Sequence, residues 1–297
     1  MKLRANNINI EVEDSAPDAP HLPVVLLIMG LGMQLIAWPS EMVRGLMDAG
    51  YRVIRFDNRD SGLTDKFDAL GSPNLFWQGL KYKLGLTIKP PYSVHDMALD
   101  ALGVLDALQI GKAHIVGVSM GGMVAQRVAL ASPHRVLSLT SIMSSSGARG
   151  LPAATAAVTR QLLSRPKDKS KQAAIEHSVK LFQAIGSPGF PLDLAFLRQQ
   201  VTLAAERNTN PAGIARQMVA IVADKTRAAA LAKITVPTLV LHGTVDPLVP
   251  FACGRDTAKR IPGARLIGID GMGHDLPPGV VDHMLAHLVP HLRATVS

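Results

Sequence analysis

Three short stretches hold residues whose types and spacing could do nucleophilic chemistry. Gly117-Val118-Ser119-Met120-Gly121-Gly122 carries the pattern Gly-x-Ser-x-Gly, after an apolar run at 113–118 and before a helical run at 123–130. At such a strand-to-helix turn a serine is held on a strained backbone with its hydroxyl above the sheet, and the close crossing of chain segments requires small residues at Gly117 and Gly121. In a chain with 25 glycines the pattern alone carries little weight. A serine hydroxyl is also a weak nucleophile at neutral pH and needs a base, with a further group to orient that base. Two later stretches offer them. His242-Gly243-Thr244-Val245-Asp246-Pro247-Leu248-Val249-Pro250 places Asp246 just past one strand, and Asp270-Gly271-Met272-Gly273-His274-Asp275 places His274 past the next. Ser119 is therefore the candidate nucleophile, His274 the base and Asp246 the orienting acid. His242 is a rival base, Asp270 and Asp275 are rival orienters, and Asp246 or His274 could each be a plain turn residue.

Attack on an ester carbonyl creates an oxyanion, which preorganised backbone donors stabilise strongly. The residue after the nucleophile, Met120, offers one N–H at a helix start. Leu31, within Gly30-Leu31-Gly32, offers a second, because the flanking glycines let the backbone turn inward. Those glycines could equally form a tight strand-to-helix turn.

These loops need elements to hold them. Residues 3–13 alternate weakly and suggest two short strands; 24–29 is a continuous apolar strand of the kind found in parallel sheets covered on both faces. A helix at 39–49 leads to a strand at 51–56, a parallel crossover unit. Residues 63–92 form a long connection holding Phe76, Trp77, Tyr82 and Tyr92, read either as an aromatic wall of a substrate pocket or as a short helix packed on the body. Gly30, Trp77 and Tyr82 are the candidate pocket residues. Ser93-Val94-His95-Asp96 resembles a capping box opening a helix to about 108. After a strand at 135–142 comes a loop whose polar residues are Ser144, Ser145 and Ser146, with no competing carboxylate.

Between 144 and 233 no strand pattern is seen. Helical patterns start near 151, 170, 191 and 210, and Ile214, Met218, Ile221 and Val222 form an apolar stripe. The strand-helix rhythm resumes at 238–241, with a helix near 251–260, a strand at 265–269 and a last helix from about 278. The expected organisation is one α/β core, residues 1–143 and 234–297, interrupted by a helical cap at 144–233. In an open parallel sheet the loops carrying Ser119, Asp246 and His274 share one edge, where ligands bind.

Composition narrows the function classes. The 297 residues can bury roughly three quarters of their unfolded surface, and no apolar run nears the roughly 18 residues that span a bilayer. No signal peptide is seen, so the expected location is cytoplasmic. The single cysteine, Cys253, excludes an internal disulfide. The net charge of +8 lies wholly within 147–233, where 13 Lys and Arg face 5 Asp and Glu, leaving 18 of each sign elsewhere. A solvated set of helix faces or a field that steers anionic ligands would both account for it. No nucleic-acid motif accompanies the charge. His283, His287 and His291 recur every four residues, but Met284 stands where a zinc helix of the His-Glu-x-x-His type has its glutamate. Met29-Gly30-Leu31-Gly32-Met33 lacks the third glycine of a dinucleotide fingerprint. Neither a metal nor a cofactor is expected.

In the order Ser119, Asp246, His274 these motifs resemble the α/β-hydrolase superfamily over nearly the whole chain. The resemblance implies a mostly parallel eight-stranded sheet flanked by helices, with the cap inserted after strand 6. Leu27-Ile28-Met29-Gly30-Leu31-Gly32 with Trp38-Pro39, then Arg55-Phe56-Asp57-Asn58-Arg59-Asp60-Ser61-Gly62, is similar to a bacterial carboxylesterase group named for aclacinomycin methylesterase. Met29-Gly30 departs from the superfamily's usual His-Gly, which leaves backbone donation intact. The implied activity is a serine esterase acting on a small-molecule ester, such as a methyl ester of a hydrophobic or bulky acid. Alternatives are a carbon-carbon bond hydrolase or lactonase with the same triad, and a non-catalytic receptor on the same fold. The expected partner is the substrate alone, without nucleic acid or membrane, for a monomer or homodimer.

Overall fold

A computed structural model of the chain describes residues 1–168 and 170–295. Residues 169, 296 and 297, which the expected core and insertion ranges include, lie outside the described residues. The strands are β1 (Lys2–Ala5), β2 (Ile8–Asp14), β3 (Val24–Ile28), β4 (Arg52–Phe56), β5 (Ala113–Val118), β6 (Val136–Ile142), β7 (Thr238–Gly243) and β8 (Arg265–Ile269). They form one sheet in the order β1-β2-β4-β3-β5-β6-β7-β8. β1 and β2 run antiparallel to their neighbours, and all later pairings are parallel. The eight-stranded, mostly parallel α/β architecture expected from the sequence is the one observed.

The helices are α1 (Ser40–Asp48), α2 (Leu75–Lys83), α3 (Val94–Ala107), α4 (Met120–Ala131), α5 (Ala156–Leu163), α6 (Lys171–Ile185), α7 (Leu194–Arg207), α8 (Pro211–Ala223), α9 (Arg227–Ala230), α10 (Phe251–Arg260) and α11 (Pro278–Arg293). β3 shows why its sequence is apolar throughout. Val24, Leu26 and Ile28 point to a core with α3 and α4, while Val25 and Leu27 point to one with α1 and α11. Every residue of β3, β5 and β7 is buried. Each buried Val, Leu or Ile among them contributes roughly 1.5–3 kcal/mol on burial. The Ser93 capping box is present: Ser93 N–H donates to Asp96 Oδ2 at 2.7 Å and Asp96 N–H to Ser93 Oγ at 3.1 Å.

Between β6 and β7 the chain runs through α5 to α9, with no strand among the described residues. Two starts lie later than expected. α5 begins beyond Pro152, where Thr155 caps the Val158 N–H, and α7 begins beyond Pro191, where Asp193 caps the Phe196 N–H at 2.9 Å. A side-chain acceptor, not the first apolar residue, defines each start.

The apolar stripe of α8 is not its most buried face. Ile214 is exposed and Met218, Ile221 and Val222 are half-buried, whereas Arg216 and Gln217 are completely buried beside Val219 and Ala220. The physical reason lies in the loop after β4. Asp57 and Asp60 are buried there, and Arg216 Nε and Nη2 grip the two oxygens of Asp60 at 2.8 and 2.7 Å, while Arg207 Nη1 donates to Asp57 Oδ2 at 2.6 Å. Buried carboxylates need partners, and that need outweighs the hydrophobic preference of the stripe.

Candidate active site

The elbow forms where β5 meets α4. Ser119 has φ 54° and ψ −119°, left-handed backbone that a non-glycine residue rarely adopts. The crossing is close: a Cβ at Gly117 would lie 2.1 Å from the Gly121 carbonyl oxygen, and one at Gly121 would lie 2.0 Å from that of Ile28. Ser119 N–H donates to the Ile142 carbonyl at 2.9 Å, and Ser144 Oγ donates to the Ser119 carbonyl at 2.7 Å. The serine is thereby anchored from the neighbouring strand β6.

The loops after β7 and β8 converge on it. His274 Nε2 is 3.0 Å from Ser119 Oγ, and His274 Nδ1 is 2.7 Å from Asp246 Oδ2. The other Asp246 oxygen accepts from the Leu248 and Val249 N–H groups at 2.9 and 2.8 Å. Burial pushes the Asp246 carboxyl up, but the His242 and His274 rings and the Val249 N–H favour the ionised form and hold it below the usual carboxylate value. The arrangement leaves an anion facing one ring nitrogen and a hydroxyl facing the other. That geometry fixes the tautomer and leaves Nε2 free to accept a proton.

The rivals are placed elsewhere. His242 Nε2 is 2.7 Å from the Val249 carbonyl and 3.5 Å from Asp246 Oδ2, so it lies behind the carboxylate. Asp270 is exposed. Asp275 accepts a hydrogen bond from Ser187 Oγ, and burial raises its carboxyl. Among the described residues no group of three or more His, Cys, Asp or Glu is gathered as if for a metal. His283 stands edge-on to Phe190, 5.9 Å between ring centres.

The loop after β3 passes directly over the serine: a Cβ on Gly30 would lie 3.3 Å from Ser119 Cβ. Among the described residues neither the Leu31 N–H nor the Met120 N–H has a hydrogen-bond partner within the chain. The next N–H, of Gly32, donates to Gln217 Oε1 at 2.8 Å, and a Cβ at Gly32 would meet Ile214. Trp77 and Tyr82 lie on α2, 56% and 44% exposed, and Trp77 packs edge-on against Phe76. No hydrogen bond or ring contact joins either to Ser119 among the described residues.

Several supporting residues escape a reading of the sequence. Gln217 holds Gly32 and also donates to the Arg59 carbonyl at 2.8 Å; Asn58 Nδ2 donates to the Met29 carbonyl at 2.9 Å. Ser187 Oγ accepts from Gly273 N–H at 2.8 Å, and His274 N–H donates to the Ile185 carbonyl at 2.7 Å. The cluster Asp57-Asn58-Arg59-Asp60 was the one visible signal, since charged residues packed just past a buried strand require partners.

Comparison with known proteins agrees with this architecture. Residues 23–277 match the model of the alpha/beta hydrolase fold family. The chain is 32% identical to a rhodomycin D methylesterase from Streptomyces sp. (strain C5), over 93% of this chain and 92% of that one. Among solved structures it is similar to the enol-lactonase of Burkholderia xenovorans LB400, with a TM-score of 0.71 and 22% identity over 99% of this chain and 100% of that one. It is also similar to a meta-cleavage product hydrolase of Pseudomonas fluorescens IP01, with a TM-score of 0.73 and 20% identity over 99% and 97%. The family match across most of the sequence, on a sheet of this order with an elbow of this shape, means that the chain belongs to the α/β-hydrolase fold family.

Proposed function

We propose that this protein is a serine esterase that hydrolyses a carboxylic ester through an acyl-enzyme. The observation that carries the reading is the hydrogen-bonded chain Ser119, His274, Asp246 beneath two unpaired backbone N–H groups. Ser119 Oγ attacks the carbonyl carbon as its proton passes to His274 Nε2. The carbonyl oxygen becomes an oxyanion held by the Leu31 and Met120 N–H groups. His274 then returns the proton to the departing alcohol, and Asp246 stabilises the imidazolium throughout. Water, deprotonated by the same nitrogen, attacks the acyl-enzyme and releases the acid.

Residues 144–233 act as a cap over this edge of the sheet. Ile214 packs its side chain over Gly32 in the loop after β3. This supports a hydrophobic acyl or alcohol group, and the methylesterase relative supports a methyl ester of a bulky acid. Ser119→Ala should lower turnover of a p-nitrophenyl ester by about 10⁴-fold or more, with an unchanged circular-dichroism spectrum. Retained turnover would overturn the assignment. A panel of methyl esters, lactones and vinylogous diketones separates ester cleavage from lactone or carbon-carbon hydrolysis, with the methyl esters expected to be the best substrates.

A further inference from the structure

The connection between β4 and α3 carries an apolar face that the other described residues leave uncovered. On α2 and its C-cap, Phe76, Leu80 and Leu84 recur every four residues with Trp77 beside them, and Phe76 and Leu84 are 74% and 63% exposed. Leu86, just beyond, is also exposed. The opposite side of the helix, where Gln78 is half-buried with its Oε1 enclosed, is turned to the body, and α2 packs against α8. At 100° per residue, Lys81 and Lys83 flank the apolar face on its two sides. From 69 to 95 the sequence holds three lysines, Lys81, Lys83 and Lys89, and no Asp or Glu. The inserted helical segment adds cations at the same place: Lys225 Nζ donates to the Leu86 carbonyl at 2.8 Å, and the Arg149 guanidinium lies beside Gly85.

We propose that α2 and the following turn dock the protein on an anionic lipid surface, with Phe76, Trp77, Leu80 and Leu84 entering the headgroup region. Large aromatic and leucine side chains between flanking lysines suit that boundary: the rings and alkyl groups leave water while the ammonium groups stay with lipid phosphates. Charge selects this occupant over a second copy of the chain. A two-fold contact through the same face would press Lys81 and Lys83 towards their own counterparts, whereas an anionic bilayer neutralises all five cations. No described helix is long and apolar enough to cross a membrane, so the contact is peripheral. The docking departs from the expectation of no membrane partner.

The test uses the full chain with vesicles of phosphatidylcholine, with and without phosphatidylglycerol. The chain has two tryptophans and Trp38 is buried, so a change in emission reports Trp77. Vesicles containing phosphatidylglycerol should sediment the protein and shift its emission to the blue, and roughly 0.5 M NaCl should reverse most of the binding. Each lysine near an anionic surface contributes about fivefold in partitioning. Lys81→Glu with Lys83→Glu should therefore lower it by more than about twentyfold. Phe76→Ser should weaken it at low salt while p-nitrophenyl ester turnover and thermal stability stay unchanged. Ser119→Ala should bind vesicles as the parent does, which keeps this proposal separate from the esterase reading. Absence of sedimentation with anionic vesicles, equal binding to neutral ones, or a dimer in light scattering that Phe76→Ser dissociates would each overturn it.

Discussion

At Ser119 the backbone is held in a region that costs about 1–3 kcal/mol for a residue with a side chain. The surrounding contacts compensate: the Ile142 carbonyl takes its N–H, and the absence of side chains at Gly117 and Gly121 lets β5 and α4 close on it. The strain exposes the hydroxyl to His274. Asp246 works at the same scale, because its two oxygens divide the tasks, one held by two backbone N–H groups and one facing the imidazole. Asp246→Asn keeps the shape but offers an amide N–H where the ring needs an acceptor. It should lower kcat by about 10³–10⁴-fold with little loss of stability, measured by steady-state kinetics and thermal melting. The Ser-Asp-His order was legible because each residue sits in a loop marked by adjacent glycines or proline. The role of His242 behind Asp246 was not, since a histidine at a strand end reads alike whether it faces the serine or the acid.

The helices inserted between β6 and β7 reach the loops on both sides of Ser119. From α8, Gln217 grips Gly32 on one side of the serine; from the end of α6 and the turn after it, Ile185 and Ser187 grip His274 and Gly273 on the other. Both loops that flank Ser119 are thus held by the same inserted segment. Gln217→Leu removes the acceptor for Gly32 N–H and loosens the neighbouring Leu31 N–H. An oxyanion donor acts in the transition state, so kcat should fall about tenfold or more with KM little changed. An equal fall in stability and activity, or a change in KM alone, would mean that Gln217 only packs the helix. The apolar stripe of α8 did not reveal its buried face, because the period shows that one face differs from the other and not which face is inside. Arg216 and Gln217 went inside once Asp57 and Asp60 demanded partners.

Across the whole molecule, the loop after β4 is the junction between the sheet and the inserted helices. Arg207 with Asp57 and Arg216 with Asp60 are buried or nearly so, and Tyr92 OH adds a hydrogen bond to Asp60 at 2.7 Å. Burial pushes the Asp60 carboxyl up, but Arg216, the Phe67 N–H and Tyr92 outweigh it and hold the group below its usual value. A carboxyl depressed in the folded state stabilises the protein above its unfolded pKa of about 4 and loses that contribution as pH falls through the folded value. Asp60→Asn removes the buried counter-ion of Arg216, leaving it only the exposed Asp68 carboxylate at 3.1 Å, and should cost about 3–5 kcal/mol at pH 7. In urea unfolding, the gap between parent and variant should narrow as pH drops from 7 to below 4. A gap independent of pH would assign the loss to packing alone.

The sequence by itself determined the strand-helix rhythm, the interruption after the sixth strand and the three loops that carry Ser119, Asp246 and His274. Those signals are local: apolar runs, glycines where chains cross, and caps three residues from their partners. Tertiary structure alone decided what holds the loops in place. Gly32 meets Gln217 across 185 residues, Asp57 meets Arg207 across 150, and Gly273 meets Ser187 across 86. No periodicity reaches that far. The buried face of α8 and the open face of α2 follow from which charges and apolar groups the folded chain brings within a few ångströms of each other.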